Sequence, residues 1–239
     1  MLWLLEHLEQ LNPAEVLSCL PLCSAARRKR LSAVRNESAR VQGILAEVLL
    51  RYALLQEYGL TELPEPRAGE KGKPFFPDLP DLHWNLSHCR TAVACTLDAS
   101  PVGVDVQEYR PLFSRKSPPG AFPSVFRTLS QAEFVWVTSN PDALPQQNAD
   151  RPTQEARFSR SFIRVWTCKE AYGKALGVGL SYDFRATEFL PRPEPWTQYG
   201  FTFTHLDLPE AALTLCGQGS LSLQRIPARD LLSNPFEIY

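Results

Sequence analysis

The residues best placed to do chemistry lie in Phe162–Leu180, FIRVWTCKEAYGKALGVGL. Taken as a helix, Phe158, Phe162, Val165, Tyr172 and Leu176 recur at three- and four-residue steps and define one buried stripe. Lys169 falls inside that stripe. Glu170 and Lys174 stand one turn apart on its flank, beside Trp166 and Ile163. A lysine in an apolar stripe either snorkels out to water or meets an anion in a cleft. Glu170 and Lys174, taken alone, are an ordinary ion pair at i,i+4 on a helix face. Carboxylate and ammonium groups converging on a cleft suit proton transfer and the handling of charged oxygens. Gly177 and Gly179 are the expected stop.

A second acid comes from a strand. In PVGVDVQ, Val102, Val104 and Val106 point to one face and Gly103, Asp105 and Gln107 to the other, with Glu108 turned away. The run Arg27-Arg28-Lys29-Arg30 opens a long helical region. Cations near a helix N-terminus oppose the macrodipole, so an anionic ligand held by Arg27 and Arg30 would account for them; a solvated helix start is the plainer alternative. Ser87 and His88 close the segment HWNLSH, and Lys73 sits in a proline- and glycine-rich loop over Thr61–Pro80.

The elements that must position these groups can be read from periodicity. From Val41, the positions Val41, Ile44, Leu45, Val48, Leu49, Tyr52 and Leu55 fit one helix face. Residues 1–20 are too short a pattern to decide between helix and strand. HWNLSHCRTAVACTL alternates as two short strands, and PVGVDVQ is a third. Ser130 caps a short helix through Val137, with Glu133 at the capping-box position. Residues 109–120 form a basic, proline-rich loop, and 138–157 a polar excursion. After the site helix, Phe184–Leu190, Tyr199–Leu206, Leu213–Cys216 and Leu221–Ile226 are β-rich, with Gly217 and Gly219 turning between the last two. The order helix, strands, helix, strands suggests two similar α/β halves meeting near Asp105.

At 239 residues, 44% hydrophobic and 21% charged, the chain is expected to be an ordinary globular protein. A net charge of −1 argues against a nucleic-acid binder, so any anion must be met by a local basic pocket. The six cysteines form no CxxC and are expected to be reduced, buried thiols of a cytoplasmic protein. MLWLLEHLEQLNP lacks a basic leader and a small-residue cleavage site, and no apolar run is long enough to span a bilayer.

Four ordered blocks resemble the Sfp-type 4′-phosphopantetheinyl transferases. They are Gly72-Lys73-Pro74; Asn85-Leu86-Ser87-His88; Gly103-Val104-Asp105-Val106-Gln107; and Trp166-Thr167-Cys168-Lys169-Glu170-Ala171-Tyr172-Gly173-Lys174. They match the family patterns GKP, (F/W)N-x-SH, G-(V/I)-D-x-E and W-x-x-KE-(A/S)-x-x-K. The resemblance implies an α+β fold of two similar α/β halves related by a pseudo-two-fold, with the active site in the cleft between them. The halves would run over 1–104, carrying the nucleotide-binding motifs, and 105–239, carrying the metal and catalytic helix and a mobile insertion at about 110–158.

The activity implied is Mg²⁺-dependent transfer of the 4′-phosphopantetheine arm of coenzyme A to a serine of an acyl or peptidyl carrier protein, with Mn²⁺ as an alternative metal. Adenosine 3′,5′-bisphosphate is released. This is the holo-[acyl-carrier-protein] synthase reaction of fatty-acid, polyketide and nonribosomal peptide biosynthesis. Residue by residue, the resemblance puts Lys73 near the adenosine, Ser87 near the pyrophosphate and His88 on the 3′-phosphate. Arg27 and Arg30 would touch phosphates, and Lys169 and Lys174 would reach the pyrophosphate. Asp105 and Glu170 would ligate the metal, and Glu170 or a metal-bound water would take the serine proton. Gln107 stands where the family usually has a second acid, and its amide oxygen would ligate weakly or hold a water. Family members with two halves in one chain are usually monomers. Arg110, Arg115 and Lys116 make the region 109–160 a basic docking surface for an acidic carrier. A non-catalytic coenzyme A-binding or carrier-interaction protein of the same fold is the rival expectation.

Overall fold

The computed structural model describes residues 1–112, 124–139, 154–179, 182–219 and 222–233. The described residues form a mixed α+β structure. Its strands are β1 (Leu2–Glu6), β2 (Arg67–Ala68), β3 (Pro74–Phe75), β4 (His83–His88), β5 (Ala92–Asp98), β6 (Gly103–Glu108), β7 (Trp196–Gln198), β8 (Phe201–Asp207), β9 (Ala211–Gly217) and β10 (Leu223–Ile226). Its helices are α1 (Pro13–Ser18), α2 (Ala25–Ser32), α3 (Glu37–Tyr58), α4 (Gln131–Ser139), α5 (Gln154–Leu176) and α6 (Ala228–Ser233).

Two four-stranded sheets carry the molecule, in the orders β10-β1-β5-β4 and β6-β9-β8-β7. Alternation along the strands sorts their side chains into layers. In β1, Trp3 and Leu5 join Ile44, Leu45 and Leu49 of α3 in one core, while Leu2 and Leu4 pack against Val102, Val104, Val106, Leu213 and Leu215 of the second sheet. On that sheet's far face, Phe203 and Cys216 meet Cys168, Ala171 and Tyr172 of α5. The sequence α3, sheet, sheet, α5 follows directly from period-2 strands with both faces apolar.

α3 is capped by Asn36, whose side chain accepts from Ala39 N, and ends at Gly59 in the left-handed conformation, φ 66°. The long helical region expected from Arg27 is therefore two helices, because Asn36 starts a new one after Ser32. Gly43 lets them touch: a Cβ there would lie 2.5 Å from Leu31 Cδ2.

Two further expectations are corrected. Phe184–Leu190 is not a strand. It holds a 3-10 turn at Phe184–Ala186, and its polar backbone groups are taken by side chains instead of a ladder. Leu176 is 42% exposed and not part of the buried stripe. Leu213–Cys216 and Leu221–Ile226 fall on strands β9 and β10, and β10 crosses to the first sheet, where it runs parallel to β1. The boundary drawn at 104/105 runs through β6, and α6 contributes Ala228 and Leu231 to the α3 core. Arg115, Lys116 and most of the insertion lie outside the described residues.

Candidate active site

β4 and β6 are the neighbouring edges of the two sheets, and side chains join them. Asn85 and Ser87 share one face of β4, two residues apart. Asn85 Oδ1 accepts from Val104 N at 2.9 Å and Ser87 Oγ accepts from Val106 N at 3.1 Å. The side chains satisfy amides that a paired strand would otherwise satisfy, so the N-x-S spacing is a strand-period match between two edges.

α5 lies across the opposite face of β6. The closeness is set at Gly103, where a Cβ would be 2.1 Å from Ala171 O and 2.4 Å from Ala175 N. With the helix that close, Lys174 reaches over the strand. Its Nζ donates to Asp105 Oδ1 at 2.7 Å, Val104 O at 3.0 Å and Ser87 Oγ at 3.2 Å. Ser87 Oγ also donates to Asp105 Oδ1, at 2.9 Å. Asp105 is buried, and its Oδ2 has no hydrogen-bond partner among the described residues.

Glu170, one turn before Lys174, is half-buried. Desolvation and then the charge of Asp105 raise its carboxyl above the ordinary value, with Lys174 opposing. The two carboxylates thus feel each other's charge, and one oxygen of Asp105 is bare. Gln107 follows Asp105 on the same face, half-buried, and Glu108 points away to Arg90 at 2.8 Å, as the alternation requires. Among the described residues no group of three or more His, Cys, Asp and Glu is arranged to hold a metal. The oxygen donors Asp105, Glu170 and Gln107 remain as the set that suits a hard divalent cation.

Beside this cluster is a cavity of about 450 Å³, lined by Arg27, Arg30, Arg67, Trp84, Leu86 and His88 among others. Trp84, Asn85, Leu86 and His88 of β4 line it, while Ser87 bonds to Asp105. His88 Nδ1 lies 3.1 Å from Gln42 Oε1. Desolvation, then the positive charges of Arg27, Lys174 and Arg30, hold its imidazole below the usual value against the pull of Asp105. The cavity and the acid cluster therefore share one cationic neighbourhood, suited to a ligand with separate anionic groups. Phe76 and Trp84, stacked at 5.0 Å, form an aromatic wall.

Two lysines expected to touch the ligand have protein partners instead. Lys169 has no exposed surface. It pairs at 2.9 Å with the equally buried Glu133 and also donates to Thr187 O at 2.7 Å and to Phe184 O. All three of its protons are committed to protein acceptors, which leaves none for a ligand. Lys73 donates to Val102 O at 3.0 Å and Ala175 O at 3.1 Å, and burial lowers its ammonium to about 8. It pins its loop, whose Gly72 and Pro74 line the cavity, to β6 and the end of α5.

Sequence reasoning missed Asn85, Glu133 and Glu47 as working groups. Glu47 interrupts the apolar run of α3, and a charge inside such a run was a signal of the same kind as Lys169.

A model described as the 4′-phosphopantetheinyl transferase superfamily matches residues 101–216. The chain is 29% identical over 164 residues to a 4′-phosphopantetheinyl transferase of Bacillus subtilis, covering 66% of this chain and 62% of that protein. It is 27% identical over 159 residues to 4′-phosphopantetheinyl transferase Sfp of Bacillus subtilis strain 168, with the same shares. To 4′-phosphopantetheinyl transferase pptA of Paxillus involutus it is 30% identical over 184 residues, 72% of this chain and 66% of the relative. The chain thus spans less than two thirds of the length of these relatives.

Proposed function

Because the chain belongs to the 4′-phosphopantetheinyl transferase superfamily, in its Sfp-type branch, we propose that it transfers the 4′-phosphopantetheine arm of coenzyme A to a serine of an acyl or peptidyl carrier protein. The observation that carries this is the meeting of Asp105, Ser87, Lys174 and Glu170 beside a cation-lined cavity. The nucleotide end of coenzyme A would lie in the cavity with its 3′-phosphate toward His88, Arg27 and Arg30, the diphosphate reaching the acid cluster.

In the reaction, the serine Oγ bonds to the phosphorus carrying the pantetheine arm, and the diphosphate P–O bond breaks. Negative charge collects on the departing adenosine 3′,5′-bisphosphate. Phosphoryl transfer of this kind asks for positioning and charge neutralisation more than for covalent help. Glu170 takes the serine proton. Lys174 turns from Asp105 to the charge on the leaving group. Bare Asp105 Oδ2 and the disfavoured negative charge of Glu170 fit a divalent cation. Mg²⁺, or Mn²⁺ in its place, would be held by Asp105 and Glu170 with Gln107 offering an amide oxygen, and would neutralise charge on the diphosphate oxygens.

The same reading takes the molecule as two pseudo-symmetric halves, about 1–104 and 105–239, with the site in the cleft between them. The support is a four-stranded sheet with a long helix on each side. A cytoplasmic monomer belongs to the same proposal, as does docking of an acidic carrier near 109–160. Incubation with coenzyme A, Mg²⁺ and an apo-carrier should add roughly 340 Da to the carrier serine, detected by mass spectrometry. Coenzyme A binding with no mass gain across acyl and peptidyl carriers would instead favour a non-catalytic binding protein, the reading to which Gln107 lends support.

A further inference from the structure

We propose that Glu47 is a positioning residue: it holds Arg27 against the cavity so that the chain distinguishes a ligand bearing a phosphate monoester, the 3′-phosphate of coenzyme A, from the same ligand without it. This rests on the coenzyme A reading above. Glu47 is a 6%-exposed carboxylate on α3 at the cavity wall. Its Oε1 accepts from Ser24 N at 2.7 Å, fixing the start of α2, and its Oε2 meets Arg27 Nε at 3.2 Å.

Arg27 is held a second time. Its Nε and Nη2 donate to Gly43 O at 3.3 and 3.2 Å, and none of these contacts uses Nη1. The guanidinium is therefore clamped along one edge, with one nitrogen left for a ligand. Arg30, by contrast, is exposed and has no ion pair among the described residues. Of these two cavity arginines, Arg27 is the pre-organised one, and pre-organisation is what converts a charge into discrimination.

The cavity cations Arg27 and Arg30 are different groups from Lys174 of the neighbouring acid cluster. A ligand with a diphosphate and a distant monoester would use both, and removing the monoester would leave the second cluster's contacts intact. Glu47 touches only the first. Its loss should be felt only by a ligand that carries the monoester.

The test is calorimetric titration of the full chain with coenzyme A and with 3′-dephospho-coenzyme A, in Glu47→Gln, Arg27→Ala and the double variant. The amide of Glu47→Gln would keep an acceptor for Ser24 N while turning donors toward Arg27. Glu47→Gln should weaken coenzyme A binding by about tenfold or more, the worth of one charge-assisted contact. Its affinity for the dephospho ligand should match the wild type, which also reports an intact pocket. The double variant should bind coenzyme A no worse than Arg27→Ala alone. Equal weakening toward both ligands would mean a merely structural Glu47, and unchanged or tighter coenzyme A binding would overturn the proposal outright. A wild-type chain that binds coenzyme A without preferring it to the dephospho form sinks this inference alone. One that binds neither sinks the coenzyme A reading with it.

Discussion

Gly103→Ala tests how closely the site depends on the contact between α5 and β6. The added methyl would stand 2.1 Å from Ala171 O, 2.4 Å from Ala175 N and 3.0 Å from Lys174 C, all backbone atoms of α5. No rotamer change can relieve a clash with backbone, so the helix must lift by about 1 Å, an overpacking that costs about 1–3 kcal/mol. For a chain of this size each kcal/mol lowers Tm by about 2–4 °C. The lift also pulls Lys174 from Asp105, now 2.7 Å apart. A displacement near 1 Å at reacting groups costs about 100-fold in rate. Thermal melts and initial rates of carrier loading would measure both. The control is Gly173→Ala on the same helix, where a Cβ meets nothing within 4 Å. It should gain up to about 1 kcal/mol from helix propensity. If Gly103→Ala melts and turns over like the wild type, the account of α5 packing is wrong.

Other predictions follow from single contacts. Lys169→Met strands the buried Glu133 and should cost about 3–5 kcal/mol in urea unfolding, with a good part recovered when Glu133 is also made apolar. Asn85→Ala leaves Val104 N–H without its acceptor and should cost about 1–3 kcal/mol. Because the folded state raises Glu170, it holds that proton more tightly than the unfolded chain does, so stability falls as pH rises from the ordinary carboxylate value and the loss is complete above the folded value. Glu170→Gln should therefore melt higher than the wild type at neutral pH. The gap should close as pH falls toward the ordinary carboxylate range, and Tm measured against pH in both proteins would show it.

What was legible in the sequence was local. The alternation of β6 places Gly103 and Asp105 toward α5 and the three valines between the sheets, as a period of two dictates. The capping box forms, with Ser130 N donating to Glu133 Oε2 at 2.7 Å and Glu133 N to Ser130 Oγ at 3.2 Å. All six cysteines are buried and free. What was not legible depends on partners distant in the chain. The place of Lys169 in the apolar stripe announced a buried charge, but not that Glu133, 36 positions away, would neutralise it. Phe184–Leu190 has the composition of a strand, yet Lys169, Glu133 and Gln198 take its backbone groups. Leu176 keeps the helical period but falls on the last turn of α5 and is exposed. Glu47 carried a signal that periodicity alone could not assign to Arg27.

The most direct measurement is single-turnover loading of an apo-carrier by the wild type, Asp105→Asn, Glu170→Gln and the double variant. Each single substitution should slow loading by about 100-fold or more, and the double should be no slower than the worse single, since groups that act as one unit are not additive. Loading at the wild-type rate by either single variant, or losses that multiply in the double, would show that Asp105 and Glu170 do not form one site.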